Sequence, residues 1–286
     1  MACQTSNFTI ETLLSENVEL ASPPEVFLKV SEIIDDPTKN AKDVGVIIEN
    51  DPGLTARLLK IVNSAFFGFS SKITSLPHAI TIVGAQEIRD LVLATLVVSR
   101  FSSHPNNLIS MRDFWKSSVY IALLAKIMAN LHPKSRQLGA VFTCGLLHNI
   151  GRLITYNRIP DLAKAALIAA ESNRISEDEA ERQIIGFDHY QVGAQLASIW
   201  LLPQVIIDSL TFHQEPDRSS HHATETAIVA VCHHIVSMDA LTLENAEQAI
   251  SQYAAVWELT TLDISILETV VDETNIQFNE AFKLIF

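Results

Sequence analysis

LGAVFTCGLLHNIGR, residues 138–152, is apolar at nearly every position yet places a His148-Asn149 pair between two glycines. Leu138, Val141, Phe142, Leu146 and Ile150 recur at helical spacing, and Leu147 and Leu153 widen the apolar surface. The pattern predicts one buried helix at the centre of a domain rather than an amphipathic surface helix. Gly145 and Gly151 each cost a helix interior about 1 kcal/mol relative to alanine, so close approach by another backbone or a ligand is the expected reason for them. A polar pair in such a setting needs partners.

The rest of the composition agrees with a folded protein built around that helix. The chain has 286 residues, 48% of them hydrophobic, enough for one large or two coupled domains. Lys and Arg number 20 against 33 Asp and Glu, a net charge of −13, with no basic cluster interleaved with aromatics. That balance argues against nucleic acid as a direct ligand. The longest uncharged runs, 138–151 and 226–238, fall short of the roughly 18 to 20 apolar residues of a membrane span. MACQTSNFTIETLL has neither a basic leader nor a long apolar stretch, so no secretion signal and no membrane insertion are expected. Cys3, Cys144 and Cys232 lack CxxC spacing and fit a reduced, cytoplasmic setting.

Helix signals run the length of the chain. Ser22-Pro23-Pro24 opens a helix whose stripe of Val26, Val30, Ile33 and Ile34 stops at Asp35-Asp36-Pro37, and a second helix follows over roughly 40–50. Asp51-Pro52 caps the next, which ends at Asn63-Ser64-Ala65 before an aromatic loop, Phe66-Phe67-Gly68-Phe69, expected to anchor on the core. Past Gly84 a helix covers about 85–101. Ser110 with Asp113 opens a long helix to about Leu131, and Ser176 with Glu179 opens another over 176–185. Helices over about 160–173, 188–201, from Pro203 to Phe212-His213, 225–238 and 262–285 complete the chain. No alternating stretch reads as a strand, so the fold is expected to be all-α. Three stretches are expected: an extension at 1–19, a helical part at 20–105, and a second helical part at 106–286.

The run DPGLTARLLKIVNSAFFGFSSKITSLPHAITIVGAQEIRDLVLATLV, residues 51–97, closely resembles the HDOD domain, the HD-related output domain of bacterial signalling proteins. An acidic-Pro pair, a helix ending in Asn-Ser-Ala, a Phe-Gly loop and an Ala-Ile-x-x-x-Gly turn occur in order at family-like spacing, and the likeness extends from about Leu20 to Pro216. It implies a multi-helical HD-like fold. The second part also resembles the metal phosphohydrolases of the HD superfamily, in which a first His, an adjacent His-Asp pair and a late Asp gather divalent metal. Neutral imidazoles and anionic carboxylates bind the ion, which acidifies a water and stabilises phosphoryl charge.

Carried over to this chain, that pattern is eroded. Ser117 stands at the first His, in Trp115-Lys116-Ser117-Ser118, and His148-Asn149 stands at the His-Asp pair. His189 matches a further His, a His-His pair becomes His213-Gln214, and the late Asp position aligns with His234. Only His148, His189 and His213 retain a family ligand, and no carboxylate survives. Asn149 offers an amide oxygen without charge or basicity. Buried hydrogen bonding within the core is the expected role of these side chains, and Cys144 is expected to act as a small hydrophobe. His221, His222 and His233 receive no role.

The leading expectation is a non-catalytic regulator of bacterial signal transduction, acting through protein or small-ligand binding, with no cofactor and with signalling partners unspecified. Twenty residues before the match are too few for a receiver or sensor domain, so input is expected from another chain or a ligand. The alternatives are a metal-dependent phosphohydrolase on a residual His148, His189, His213 site, and nucleotide or second-messenger binding without turnover. No heptad seam demands a homo-oligomer, though one is possible.

Overall fold

The computed structural model describes residues 9–15, 23–64, 67–69, 71–102, 108–238 and 240–285. Cys3, Ser22, Ala65 and Phe66 lie outside these, as does most of the 1–19 stretch. Every regular element among the described residues is a helix, as the absence of alternating patterns predicts.

The first half runs α1 (Ile10–Ser15), α2 (Glu25–Asp35), α3 (Ala41–Glu49), α4 (Pro52–Val62), α5 (Leu76–Val83) and α6 (Ala85–Ser102). Their starts follow side-chain chemistry. Asn40 and Asp43 form a reciprocal capping box on α3, and Asp51 accepts from the Leu54 amide at 2.9 Å ahead of Pro52 in α4. Residues 76–83, unassigned from the sequence, are helical with Pro77 in the first turn. Asn63 explains its own place at the end of α4: its amide donates to Leu59 and Ile73 oxygens and accepts from the Ile73 amide, each at 2.7 Å. That one side chain ties Ile73 to the end of the helix. Phe67 packs against the core and stacks with Phe69, which is exposed.

The long helix α7 (Met111–Leu131) is the central strut, opened by the Ser110 hydroxyl accepting from the Asp113 amide at 3.3 Å. Trp115, Val119, Ala122, Leu123, Leu124, Ala125 and Met128 along it are fully buried. The hydrophobic core is continuous from Leu13 and Leu14 of α1 to Ala281 near the C-terminus and crosses the 105/106 boundary.

At 138–152 the structure corrects the expectation of one helix. The segment splits into α8 (Val141–Leu147) and α9 (Ile150–Arg158), with Asn149 at φ −110°, ψ 19° between them. The glycines show why. A Cβ on Gly145 would stand 2.9 Å from Ala122 Cα in α7, and one on Gly151 would stand 2.0 Å from the His189 carbonyl oxygen. Each half is pressed backbone to backbone on a different neighbour, so the chain turns between them, and the turn is His148-Asn149.

Beyond α9 come α10 (Pro160–Asn173), α11 (Glu177–Ile184), α12 (His189–Ile199), α13 (Gln204–Phe212) and α14 (Ala223–Val236). Then α15 (Leu243–Gln252), α16 (Ala254–Thr260) and α17 (Leu267–Ile285) follow. α9 packs on α12, α12 on α13, and α7 on α8, α14 and α17.

Candidate functional site

The break between α8 and α9 aims His148 into a cluster of imidazoles. Its ring lies 4.9 Å from that of His233 on α14 and 5.4 Å from that of His213 at the end of α13, and the His213 and His233 rings are 5.6 Å apart. Tyr190 stands edge-on to His213 at 4.7 Å and beside His189 at 4.0 Å. His148, His189 and His213 are all buried.

Two of these rings have a tautomer set by a backbone carbonyl, which can only accept. His148 Nδ1–H donates to Gly145 O at 2.7 Å, and His213 Nδ1–H donates to Ser209 O at 3.0 Å. Both rings therefore keep an Nε2 lone pair, and that of His213 is buried without a hydrogen-bond partner, as is His233 Nδ1. Burial lowers the basicity of all three, with neighbouring imidazoles adding to the effect. His213 is pushed down to about 3, His233 to about 4, and His148 well below the usual histidine range. At neutral pH this is a group of uncharged rings.

His233, not His234, faces the cluster. One residue on along α14, His234 points elsewhere: it stacks on Tyr253 and pairs with Gln252 through Nε2 at 3.1 Å. A one-residue step on a helix turns a side chain by about 100°, which separates the two rings completely. Gln214 is exposed and donates to the Tyr190 hydroxyl at 3.0 Å, outside the cluster. Ser117 is exposed on α7 but shares a cavity of about 230 Å³ with Ser118, His148, Asn149 and Arg152. An adjoining cavity of about 530 Å³ shares Asp113 and Ser117 with it and extends past Lys116 to Tyr120 and Met238. Asn149 Oδ1 is buried with no partner. Cys144 is fully buried, and burial pushes its thiol well above the usual range, so it packs as a small apolar side chain.

The sequence reading missed the carboxylates that do lie here. Glu181 of α11 is fully buried and accepts from both Nδ1 and the backbone amide of His189, at 2.6 and 2.8 Å. Glu177, one turn earlier, is held by Arg152 and Tyr156 of α9. The only sequence signal of Glu177 and Glu181 is the i,i+4 spacing beside the buried Ala180.

The HD-type ligand set does not fit a hydrolytic divalent centre in this chain. Asn149 follows His148 where the resemblance implies a carboxylate, and the three clustered rings supply neutral nitrogen without the negative charge that holds a hard cation. No reaction step follows from the cluster.

Comparison with known proteins agrees with the architecture. A curated uncharacterized protein of Treponema pallidum is 25% identical over 212 residues, 73% of this chain and 40% of its own length. The chain thus spans about two fifths of that relative. The solved structure of a candidate phosphohydrolase of Shewanella amazonensis superposes with a TM-score of 0.77 at 22% identity, covering 99% of this chain and all of the other. An HDOD domain protein of unknown function from Geobacter sulfurreducens gives 0.74 at 19%, covering 97% and 99%. Likeness at that level carries the fold alone. A family model for the HDOD domain matches residues 20–216, and on that match the chain belongs to the HDOD family.

Proposed function

We propose that this chain is a signal-transduction protein that works by binding, with the HD-type pocket kept as a non-catalytic scaffold. The observation that carries the reading is His233 in contact with His148 and His213. All three rings are neutral, and Asn149 replaces the carboxylate of the pair. The HD-type phosphohydrolases that this chain resembles set carboxylates beside their histidines, and this cluster offers none. The two adjoining cavities on the face of α7 supply a receiving surface for a small ligand, bordered by Lys116 and Arg152 and by Tyr120 and Met238. Partner surfaces on the same scaffold pass the signal on.

A phosphomonoester and phosphodiester panel with Mn²⁺ tests this reading. The wild-type chain is expected to match the metal-only blank. The triple variant Ser117→His, Asn149→Asp, His233→Asp is expected to bind Mn²⁺ more tightly than wild type, because it restores charge to a pocket of retained shape. Wild-type turnover that disappears in His148→Ala would make the pocket an enzyme site.

A further inference from the structure

The carboxylates next to the imidazole cluster, of which Glu181 and Asp188 are buried, outnumber the guanidinium groups that face them. Glu177, Asp178, Glu181 and Asp188 form one acidic group around α11. Two guanidinium groups face it: Arg152 pairs with Glu177, and Arg182 pairs with both Asp178 and Asp188. Glu181, at 0% exposure, pairs with no Lys or Arg among the described residues, and its only ionic partner is His189. Its Oε2 takes both His189 contacts, whereas Oε1 is buried with no hydrogen-bond partner. An unpartnered carboxylate oxygen in a dry interior is unfavourable unless a proton or a cation satisfies it.

One ligand atom from each of Glu177, Glu181 and His189 lies within 4.8 Å of the others. Ligand atoms about 2.0 to 2.2 Å from an ion sit roughly 3 to 4 Å from one another, so seating an ion needs side-chain shifts of about 1 Å, His189 Nδ1 and Glu181 Oε2 moving apart from their present 2.6 Å. We infer that Glu177, Glu181 and His189 form a binding site for a divalent transition-metal cation, separate from the His148–His213–His233 cluster.

Mixed carboxylate and imidazole donors suit Zn²⁺ or Mn²⁺ better than Ca²⁺ or Mg²⁺. His189 Nδ1–H donates to Glu181 here, so ligation through Nδ1 would replace that hydrogen bond and leave the ring proton on Nε2. Glu177 is less buried than Glu181 and gives the ion its way in. A bound cation would tie α11 to α12, and through the Arg152–Glu177 pair to α9, which carries the floor of the cavity beside His148. The site thereby joins metal binding to the shape of the surface on which the proposed ligand sits.

Calorimetric titration of the metal-stripped full-length chain with ZnCl₂, with elemental analysis of the product, tests the assignment. One ion per chain is expected. Glu181→Gln and Glu177→Gln are each expected to weaken binding by at least about tenfold, and the double variant His148→Ala, His213→Ala is expected to retain it. Helix content and thermal midpoint in chelator check that each variant folds; should Glu181→Gln fail that check, Glu177→Gln gives the reading. No binding by the wild-type chain would overturn the site and leave the non-catalytic reading intact. Binding lost in the double histidine variant but kept in Glu181→Gln would place the ion among the imidazoles and overturn both.

Discussion

Gly151 has no room for a side chain: a Cβ there would stand 2.0 Å from His189 O and 2.5 Å from Gly193 N. Gly151→Ala must therefore push α9 off α12, at a cost of about 3 kcal/mol. At Gly139 the nearest such contact is 3.9 Å, and Gly139→Ala should leave stability nearly unchanged. Urea denaturation of both variants checks the contrast, and equal midpoints would contradict the packing described. The histidines set a pH dependence at the same scale. In the unfolded chain a histidine titrates near 6.5, whereas burial holds His213 at about 3 and His233 at about 4. The unfolded state binds more protons between those values, so these rings' contribution is fully present above about pH 6.5 and falls away on acidification toward the folded values. His213→Phe is expected to flatten that slope by about one proton, read from unfolding free energies across the interval; an unchanged slope would mean the ring is charged or exposed when folded.

At the scale of elements, α9, α11 and α12 stand or fall together. Arg152 of α9 donates to Glu177 of α11 and to Tyr156, with both ionic partners largely buried. Arg152→Ala should cost about 2 kcal/mol, whereas Arg218→Ala, from an exposed pair with Glu215, should cost almost nothing. Asp188 caps α12 reciprocally with Gln191 and binds Arg182, so Asp188→Ala should cost about 1 to 2 kcal/mol and let His189 shift. Chemical denaturation of these three variants reads the ranking. Caps of this kind, with the early prolines, made most helix boundaries legible in the sequence, because each is a local event of a few residues. The break at His148-Asn149 was not legible. Where every face of a segment is buried, hydrophobic periodicity carries no direction, and the turn is dictated by two different neighbours pressing on Gly145 and Gly151. The same limit explains the site. His148 and His213 stood out as histidines in apolar helices, while Glu177 and Glu181 were hidden among the charges of α11, and the adjacent pair at 233 and 234 could not be told apart without the rotation of α14.

Across the whole molecule, a single apolar core runs under both helical parts, with α7 as its axis. Among the described residues no helix is long and apolar enough to cross a membrane. The imidazole cluster is held by that core as packing, His148 and His213 hydrogen-bonded to backbone carbonyls and the three rings set against one another. The cavities along α7 open beside it, lined from α7, the His148-Asn149 turn, the end of α14 and α17, so a ligand there would bear on several helices of the second part. This arrangement suits a scaffold that changes shape on binding, and it rests on the cluster being uncharged. The most direct measurement is nitrogen-15 NMR of the histidine rings between about pH 5 and 8, the interval in which an ordinary histidine titrates. The account predicts that His148, His213 and His233 stay neutral throughout, with the proton of His148 and His213 on Nδ1. A clustered ring that titrates within that interval would contradict it.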